Sequence, residues 1–410
     1  MTLSEDGIRG IIEAGTPASL YENKRVLVLT PDGTRTCPLP MMVRILGDVI
    51  GGRAARLDFM VALGTHPILT EEKILELYGI PPGKRQEAFG RSAFFCHRWD
   101  LPETFRRIGE LSEEEVAAIS GGLLRERVPI DINKRIFDYD LVLILGPVFP
   151  HEVVGLSGGA KYLFPGISGG EFLHFFHWLG ALITCRKIIG IKDTPVRRVI
   201  HRALEKLALP IHCLAMVVDR EARLCGLFAG DVREAWSAAA DLSQKIHIVV
   251  KKSPYRIVLG RAPEMYDEIW TAGKVVYKLE QVVAPGGKLI VYAPHIRLFS
   301  DTWGEQIDKI GYHVRDYFLT RRDEFADIPR GVLAHSTHVR GTGVCEGGIE
   351  RPDIDVVLAT AIPGETCMKV NLGYMDPSGI RLSDYMGREE EGILFVDHAG
   401  EVLYRLAGEE

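Results

Sequence analysis

The chain lacks most of what marks the commoner ligand and membrane classes. No apolar run reaches the roughly 20 residues that a membrane-spanning helix needs. Its seven cysteines, at 37, 96, 185, 213, 225, 345 and 367, are odd in number, scattered, and never spaced as CxxC. That pattern excludes a disulfide frame and a cysteine zinc site, and it points to a reducing compartment. There is no long basic run or aromatic-basic stripe, and the formal net charge is −6, which argues against nucleic acid as a partner. Neither the Walker pattern nor GxGxxG is present, so neither ATP nor NAD binding has support. The first residues, MTLSEDGIRG, are polar and acidic, the wrong character for a secretory signal. A cytoplasmic enzyme acting on small molecules is the expectation.

What is present is ample material for a core. With 410 residues and 46% hydrophobic content, two domains are expected. Short apolar runs suited to strands occur at Arg25–Leu29, Phe59–Leu63, Leu141–Leu145, Ile188–Ile191, Cys213–Val218 and Ile246–Val250. Amphipathic stretches suited to helices lie between them, at Pro40–Ile50, Thr70–Tyr78, Ser112–Ile119, Ser168–Leu182, Thr194–Leu207 and Asp231–Lys245. Thr70 and Ser112, each followed by early glutamates, read as helix caps. Tyr255–Leu259, Lys288–Tyr292, Asp355–Ala359 and Gly392–Val396 read as strands of a second unit, with a helix at Trp303–Ile310. The alternation predicts two α/β domains with largely parallel sheets, 1–255 and 256–410, and an active-site cleft between them.

The most informative stretch runs from His151 to His177, HEVVGLSGGAKYLFPGISGGEFLHFFH. Its Ser157-Gly158-Gly159 turn can offer several backbone N–H groups to one anion. Lys161 follows directly. A helix beginning near Ser168 places His174 and His177, three apart, on one face. These groups suggest a nucleotide-like cofactor with a metal nearby. The bland alternatives are a lysine that balances phosphate charge and two histidines lining an aromatic core with Phe172, Phe175, Phe176 and Trp178.

Three more polar segments follow predicted strands, where open α/β sheets gather ligands. Pro31 to Arg35 contains Asp32 and Arg35. These are either a turn aspartate and a surface arginine, or a hydroxyl acceptor and a planar partner for a carboxylate. Leu63 to Pro67 contains His66, and Gly146 to His151 ends in His151. Each histidine alone reads as a satisfied loop residue; as a pair they could serve both faces of one carbon as acid and base. Lys274, in Trp270-Thr271-Ala272-Gly273-Lys274, is either a helix-surface lysine or a reach toward a carboxylate. The cluster His335, Ser336, Thr337 and His338 has no assigned role.

Together, DGTR at 32–35, GTHP at 64–67 and His151 followed by SGGAK and PGISG resemble the nickel-pincer nucleotide enzymes, the lactate racemase family. The resemblance covers nearly the full length. It rests most on spacing, ten residues from His151 to Lys161 and sixteen from Lys161 to His177. The resemblance implies a 2-hydroxy acid racemase or epimerase working by reversible hydride transfer. His66 and His151 would be the acid/base pair, and Lys161 the lysine that joins the cofactor in some members. His177 would be the nickel ligand, with His174 in reserve. Ser157, Gly158 and Gly159 would form part of the phosphate cradle. Asp32 and Arg35 would line the site, and Lys274 would contact the substrate carboxylate. It also implies cofactor-building machinery as a maturation partner.

Ala160 and Thr271 depart from the lactate enzyme, which has arginine and glutamine there. The WTAGK and YAPH segments are closer to homologues thought to act on larger acids. With Thr271, His295 and Arg297, they direct the expectation to a sugar acid such as gluconate. Lactate or malate is the runner-up. A zinc hydrolase using His66, His151 and His177, a nicotinamide-dependent dehydrogenase and a non-catalytic binding protein rank below both.

Overall fold

A computed structural model describes residues 2–81 and 83–408. The chain forms two compact units. The first comprises Met1–Phe149, Ser157–Leu173 and Arg197–Lys245, and the second Pro150–Leu156, His174–Val196 and Ile246–Glu410.

The first unit is built on a six-stranded sheet of β1 (Arg25–Thr30), β2 (Arg56–Val61), β3 (Phe94–Cys96), β4 (Leu141–Pro147), β5 (Ile211–Val218) and β6 (Leu224–Gly230). The order is β6-β5-β4-β1-β2-β3, parallel except for the antiparallel edge strand β6. The strands β1 and β4 are buried over almost every residue, which is why they read as unbroken apolar runs. Strand order reverses between β1 and β4. At such a reversal the loops leaving the carboxyl ends diverge and leave a crevice. The two loops there are the ones that carry Asp32 and the glycine turn.

Helices α1 (Leu39–Leu46), α2 (Glu71–Leu77), α3 (Glu113–Ser120), α4 (Gly170–Ile183), α5 (Pro195–Leu204) and α6 (Val232–His247) connect these strands or follow them. The caps expected at Thr70 and Ser112 are present. The Thr70 hydroxyl accepts the Lys73 N–H at 3.3 Å. Ser112 and Glu115 form a reciprocal capping box at 3.2 and 2.9 Å.

The second unit has an all-parallel five-stranded sheet of β7 (Tyr255–Arg261), β8 (Val283–Ala293), β9 (Asp355–Thr360), β10 (Gly373–Tyr374) and β11 (Ile393–Val396). Its order is β10-β9-β8-β7-β11. Helices α7 (Ile269–Leu279) and α8 (Arg330–Arg340) are buried almost throughout. Both units are thus mixed α/β with mostly parallel sheets.

Two details differ from the sequence expectation. Ile188–Ile191 is not a strand but a turn that follows a 3₁₀ segment. A short apolar run signals burial without selecting a backbone conformation. The division is also not one cut near 255. The second unit begins at Ile246 and includes two earlier excursions. Those excursions are held by their own contacts: Thr194 Oγ1 donates to Val154 O at 3.1 Å, Arg315 Nη1 to Leu182 O at 2.9 Å, and Gly190 packs against Leu403. Among the described residues no helix is long and apolar enough to cross a membrane. All seven cysteines are free.

Candidate functional site

In the first unit the site residues gather at the carboxyl ends of β1, β2 and β4. Asp32 follows β1 in a turn where its Oδ1 accepts the Thr34 N–H at 3.1 Å and the Thr34 hydroxyl at 2.7 Å. Its Oδ2 makes a very short contact with His66 Nδ1, in the loop after β2. An ionised carboxylate can only accept, so Nδ1 carries the proton, and whenever the ring is neutral its lone pair is on Nε2. The Asp32 and His66 side chains are 11% and 25% exposed, so Nε2 belongs to a ring oriented by protein yet reachable. The His66 loop is pinned at its backbone: Trp99 Nε1 donates to His66 O at 2.8 Å, and Gly64 N to Gly166 O at 2.9 Å. Gly64 has φ +60, a conformation that favours glycine.

The glycine turn lies after β4. Gly158 and Gly159 have φ of +79 and +59. A Cβ on Gly158 would stand 2.7 Å from Val148, and one on Gly159 2.8 Å from the Trp236 ring. The turn is therefore pressed onto the protein on one side. Ser157 helps to hold it there. The Ser157 Oγ accepts the Phe149 N–H at 2.9 Å, while Trp236 Nε1 donates to Ser157 O at 2.8 Å. Beneath the turn, Arg197 Nη1 donates to Gly158 O at 3.3 Å, with the guanidinium 4.0 Å from the Trp236 ring. Arg197 is 1% exposed, and burial pulls it down to about 9.

Lys161 is half-buried in the 3₁₀ turn Gly159–Tyr162. Its neighbour Tyr162 sits over Gly146 at the end of β4, where any Cβ would collide with the phenol. Burial raises that phenol well above its ordinary value, and the charges of Arg35 and Asp32 reach it with opposite effects. Asp32, Arg35, His66 and the glycine turn with Lys161 are thus placed around one sheet edge.

The remaining predicted residues belong to the second unit. His151 lies in a two-residue antiparallel pairing, Pro150–His151 with Gly155–Leu156. Gly155 has φ +89, and a Cβ there would meet Ile191 O. His174 and His177 lie on α4. The His174 ring packs edge-on against Trp303, 6.1 Å between centroids, and burial drops it to about 4. His177 is half-buried beside Phe176. Lys274 is not a surface lysine: it is 6% exposed, with Nζ 4.5 Å from the centre of the Tyr266 ring.

Of the polar groups that pointed to a sugar acid, two are engaged within the fold. Thr271 Oγ1 donates to Glu268 O at 3.0 Å, and His295 Nε2 lies 2.9 Å from Tyr266 O. Arg297 is exposed. His335, the unassigned histidine, lies against the Trp270 ring at 4.1 Å and is bonded to the Tyr277 hydroxyl at 3.0 Å. Burial takes it to about 3. The second unit also contains a cavity of about 370 Å³ between Thr184, Arg186, Glu280, Arg315 and His338, and none of the predicted site residues lines it.

Sequence reasoning missed Tyr162, Arg197, His97 and Glu152. His97 is fully buried just after β3, with Nδ1 3.1 Å from Asn133 Nδ2. Asn133 Oδ1 accepts the Arg135 N–H at 3.1 Å, so Nδ2 donates to the ring. No local signal distinguishes Tyr162, Arg197 or His97, because their partners are distant in sequence.

Residues 11–187 match the family model of the lactate racemase N-terminal domain. A Thermotoga maritima protein of known crystal structure matches at 34% identity with a TM-score of 0.90, over 99% of both chains. The chain belongs to the lactate racemase family. Within it, the lactate racemase of Thermoanaerobacterium thermosaccharolyticum is 24% identical over 274 residues, 66% of this chain and 60% of that enzyme. The lactate racemase of Lactiplantibacillus plantarum is 26% identical over 234 residues, 55% and 49% of the two chains. The matched segments thus span only about half to three-fifths of these curated relatives. In fold, the chain matches the Thermoanaerobacterium lactate racemase apoprotein with a TM-score of 0.73 at 19% identity, over 98% and 93% of the chains.

The donor set can be tested against the nickel-pincer nucleotide that the family resemblance implies. Among the described residues no group of three or more His, Cys, Asp or Glu side chains is arranged to hold a metal ion. A lone imidazole such as His177 suits a metal whose other ligands come from an organic group, and it suits an all-protein zinc site poorly. The positive-φ glycine turn, with Lys161 on it and Arg197 under it, suits a phosphate. The residues present fit the group.

Proposed function

We propose that this protein is a racemase or epimerase that inverts C2 of a 2-hydroxy acid with a nickel-pincer nucleotide. The observation that carries the reading is the Asp32–His66 pair at the carboxyl end of the sheet in a chain from this family: an imidazole oriented through Nδ1 by a carboxylate. Ser157, Gly158, Gly159 and Lys161 would hold the cofactor phosphate, Asp32 and Arg35 would line its site, and His177 would ligate nickel. When bound, the cofactor supplies a pyridinium carbon that takes and returns a hydride, which avoids deprotonating a weakly acidic C–H.

The rest of the chemistry belongs to side chains. Arg35 offers two parallel donors to the substrate carboxylate, and Lys274 a second charge. Anchoring the carboxylate lets the 2-keto acid turn without leaving. His66 takes the hydroxyl proton from one enantiomer, and His151 returns a proton when the other is made. The roles reverse in the opposite direction.

The first substrate class is the aldonates, such as gluconate. A short acid, lactate or malate, is the second reading. It is favoured by the internal hydrogen bonds of Thr271 and His295, which leave less to recognise a polyol.

The test is co-expression with the cofactor-building machinery, followed by a nickel assay and a screen of 2-hydroxy acids in deuterated water. The expected result is stoichiometric nickel and epimerisation without solvent deuterium at C2. Solvent label at C2, or ester hydrolysis without epimerisation, would overturn the reading.

A further inference from the structure

His151 and Glu152 are adjacent in a tight, buried hairpin. The His151 and Glu152 side chains are 5% and 16% exposed, and Glu152 Oε2 lies 3.3 Å from His151 Nδ1. The same Nδ1 accepts the Val153 N–H at 3.2 Å. One ring nitrogen therefore faces both a donor and an acceptor. In the imidazolium, Nδ1–H has the Glu152 carboxylate. With Nδ1 bare, the lone pair has the Val153 N–H. The Glu152 carboxylate at ion-pair distance offsets the desolvation of the charged ring, the cost that ordinarily keeps a buried histidine neutral.

Other titratable groups approach Glu152 from the elements packed around it. Its charge reaches Tyr277 on α7, Cys185 after α4, and His335 and His338 on α8. Lys278 on α7 acts on Cys185 alongside it. His335 and His338 are held neutral by burial, at about 3 and about 4. At neutral pH they do not compete with His151 as cations.

We propose that Glu152 is the positioning residue of His151: its carboxylate, at ion-pair distance from Nδ1, orients the ring and stabilises its cationic form. The inference rests on the acid–base reading of His151. In that step the imidazolium gives its Nε2 proton to the oxygen of the forming hydroxyl. The N–H bond breaks, the O–H bond forms, and the ring becomes neutral with Nδ1–H still on Glu152.

The test uses the full chain with ¹⁵N-labelled histidine, and the His151 signal is assigned by its loss in His151→Gln. In Glu152→Gln the ring's titration midpoint is expected to fall by about one pH unit, the low end of the effect of a neighbouring charge. Glu152→Asp, which keeps the charge, is expected to lower the midpoint by less than half as much, and it carries the test alone if the glutamine variant does not fold.

In nickel-loaded enzyme, Glu152→Gln should lower kcat about tenfold with little change in KM, equivalent to one such unit. Its alkaline limb should move to lower pH, since the ring must be charged to deliver its proton. An unmoved midpoint overturns the proposal, even where activity falls, because Glu152 is then only structural. Failure of the wild-type enzyme to epimerise any acid would instead count against the functional reading, while the NMR midpoint still judges Glu152.

Discussion

At the scale of single residues, Asp32 gives the sharpest handle on the chemistry. An asparagine at position 32 can keep the Thr34 bonds by presenting its oxygen to them. Its amide nitrogen then faces His66 Nδ1 and, as a donor, demands a lone pair there. The ring must flip to the tautomer with its proton on Nε2, the wrong form for a base. Asp32→Asn is therefore expected to lose about 10²–10⁴-fold in kcat, by analogy with other imidazoles whose orienting carboxylate is removed. Its melting temperature should stay within about 4 °C of wild type, since the fold loses no packing. Epimerisation at more than half the wild-type rate would show that the pair is not the base.

The places of Asp32 and His66 at the carboxyl ends of strands were legible in the sequence, because each stands in a polar turn directly after an apolar strand. Glu152 was not, since a glutamate in an apolar hairpin gives no hint of which side chain it will face. Arg197 needed the fold for the same reason, because its partner Gly158 lies 39 residues away.

At the scale of elements, the glycine turn is a backbone device held from below. Trp236 and Val148 fill the space where side chains at 158 and 159 would go. Gly159→Ala meets two penalties: a left-handed φ that costs about 1–2 kcal/mol for a residue with a Cβ, and a collision with the indole. The expected outcome is a lower melting temperature together with reduced nickel content after co-expression, because the N–H groups would be re-aimed. Trp236→Phe keeps most of the ring but loses the bond to Ser157 O, and should lower stability by about 0.5–1.5 kcal/mol with smaller loss of nickel. If Gly159→Ala matches wild type in nickel content, the turn does not bind the cofactor.

Strands buried on both faces, such as β1 and β4, announce themselves as apolar runs with β-branched residues. The same signal misled at Ile188–Ile191, where the run is buried in a turn. The helix α8 escaped notice because it is buried on nearly all sides and carries only a weak amphipathic stripe.

At the scale of the whole molecule, the alternation of elements made the mixed α/β class legible. The assignment of the His151 hairpin and the His174–Val196 segment to the second unit was not, because it depends on contacts between residues far apart in sequence. Both units share a feature with a measurable consequence, which is fully buried neutral histidine. His97 in the first unit is held at about 4, and His335 and His338 in the second at about 3 and about 4, all by burial and all below the ordinary 6.5.

In the unfolded chain these rings take up protons near pH 6.5; in the native protein they resist until about pH 4. Between those values the unfolded state binds more protons, so stability is full above pH 6.5 and falls as pH drops toward 4. Each group contributes a slope of up to about 1.4 kcal/mol per pH unit. The melting temperature should therefore decline steeply from pH 6.5 to 4.5, before most carboxylates titrate. Two of the three groups lie in the second unit, so limited proteolysis at pH 5 should cut there first. Replacing His338 with glutamine should flatten the pH dependence even though it lowers the melting temperature at pH 7.5. Equal melting temperatures at pH 7.5 and pH 5 would mean that these rings open to solvent and protonate without unfolding, and that the burial assigned to them is not maintained in solution.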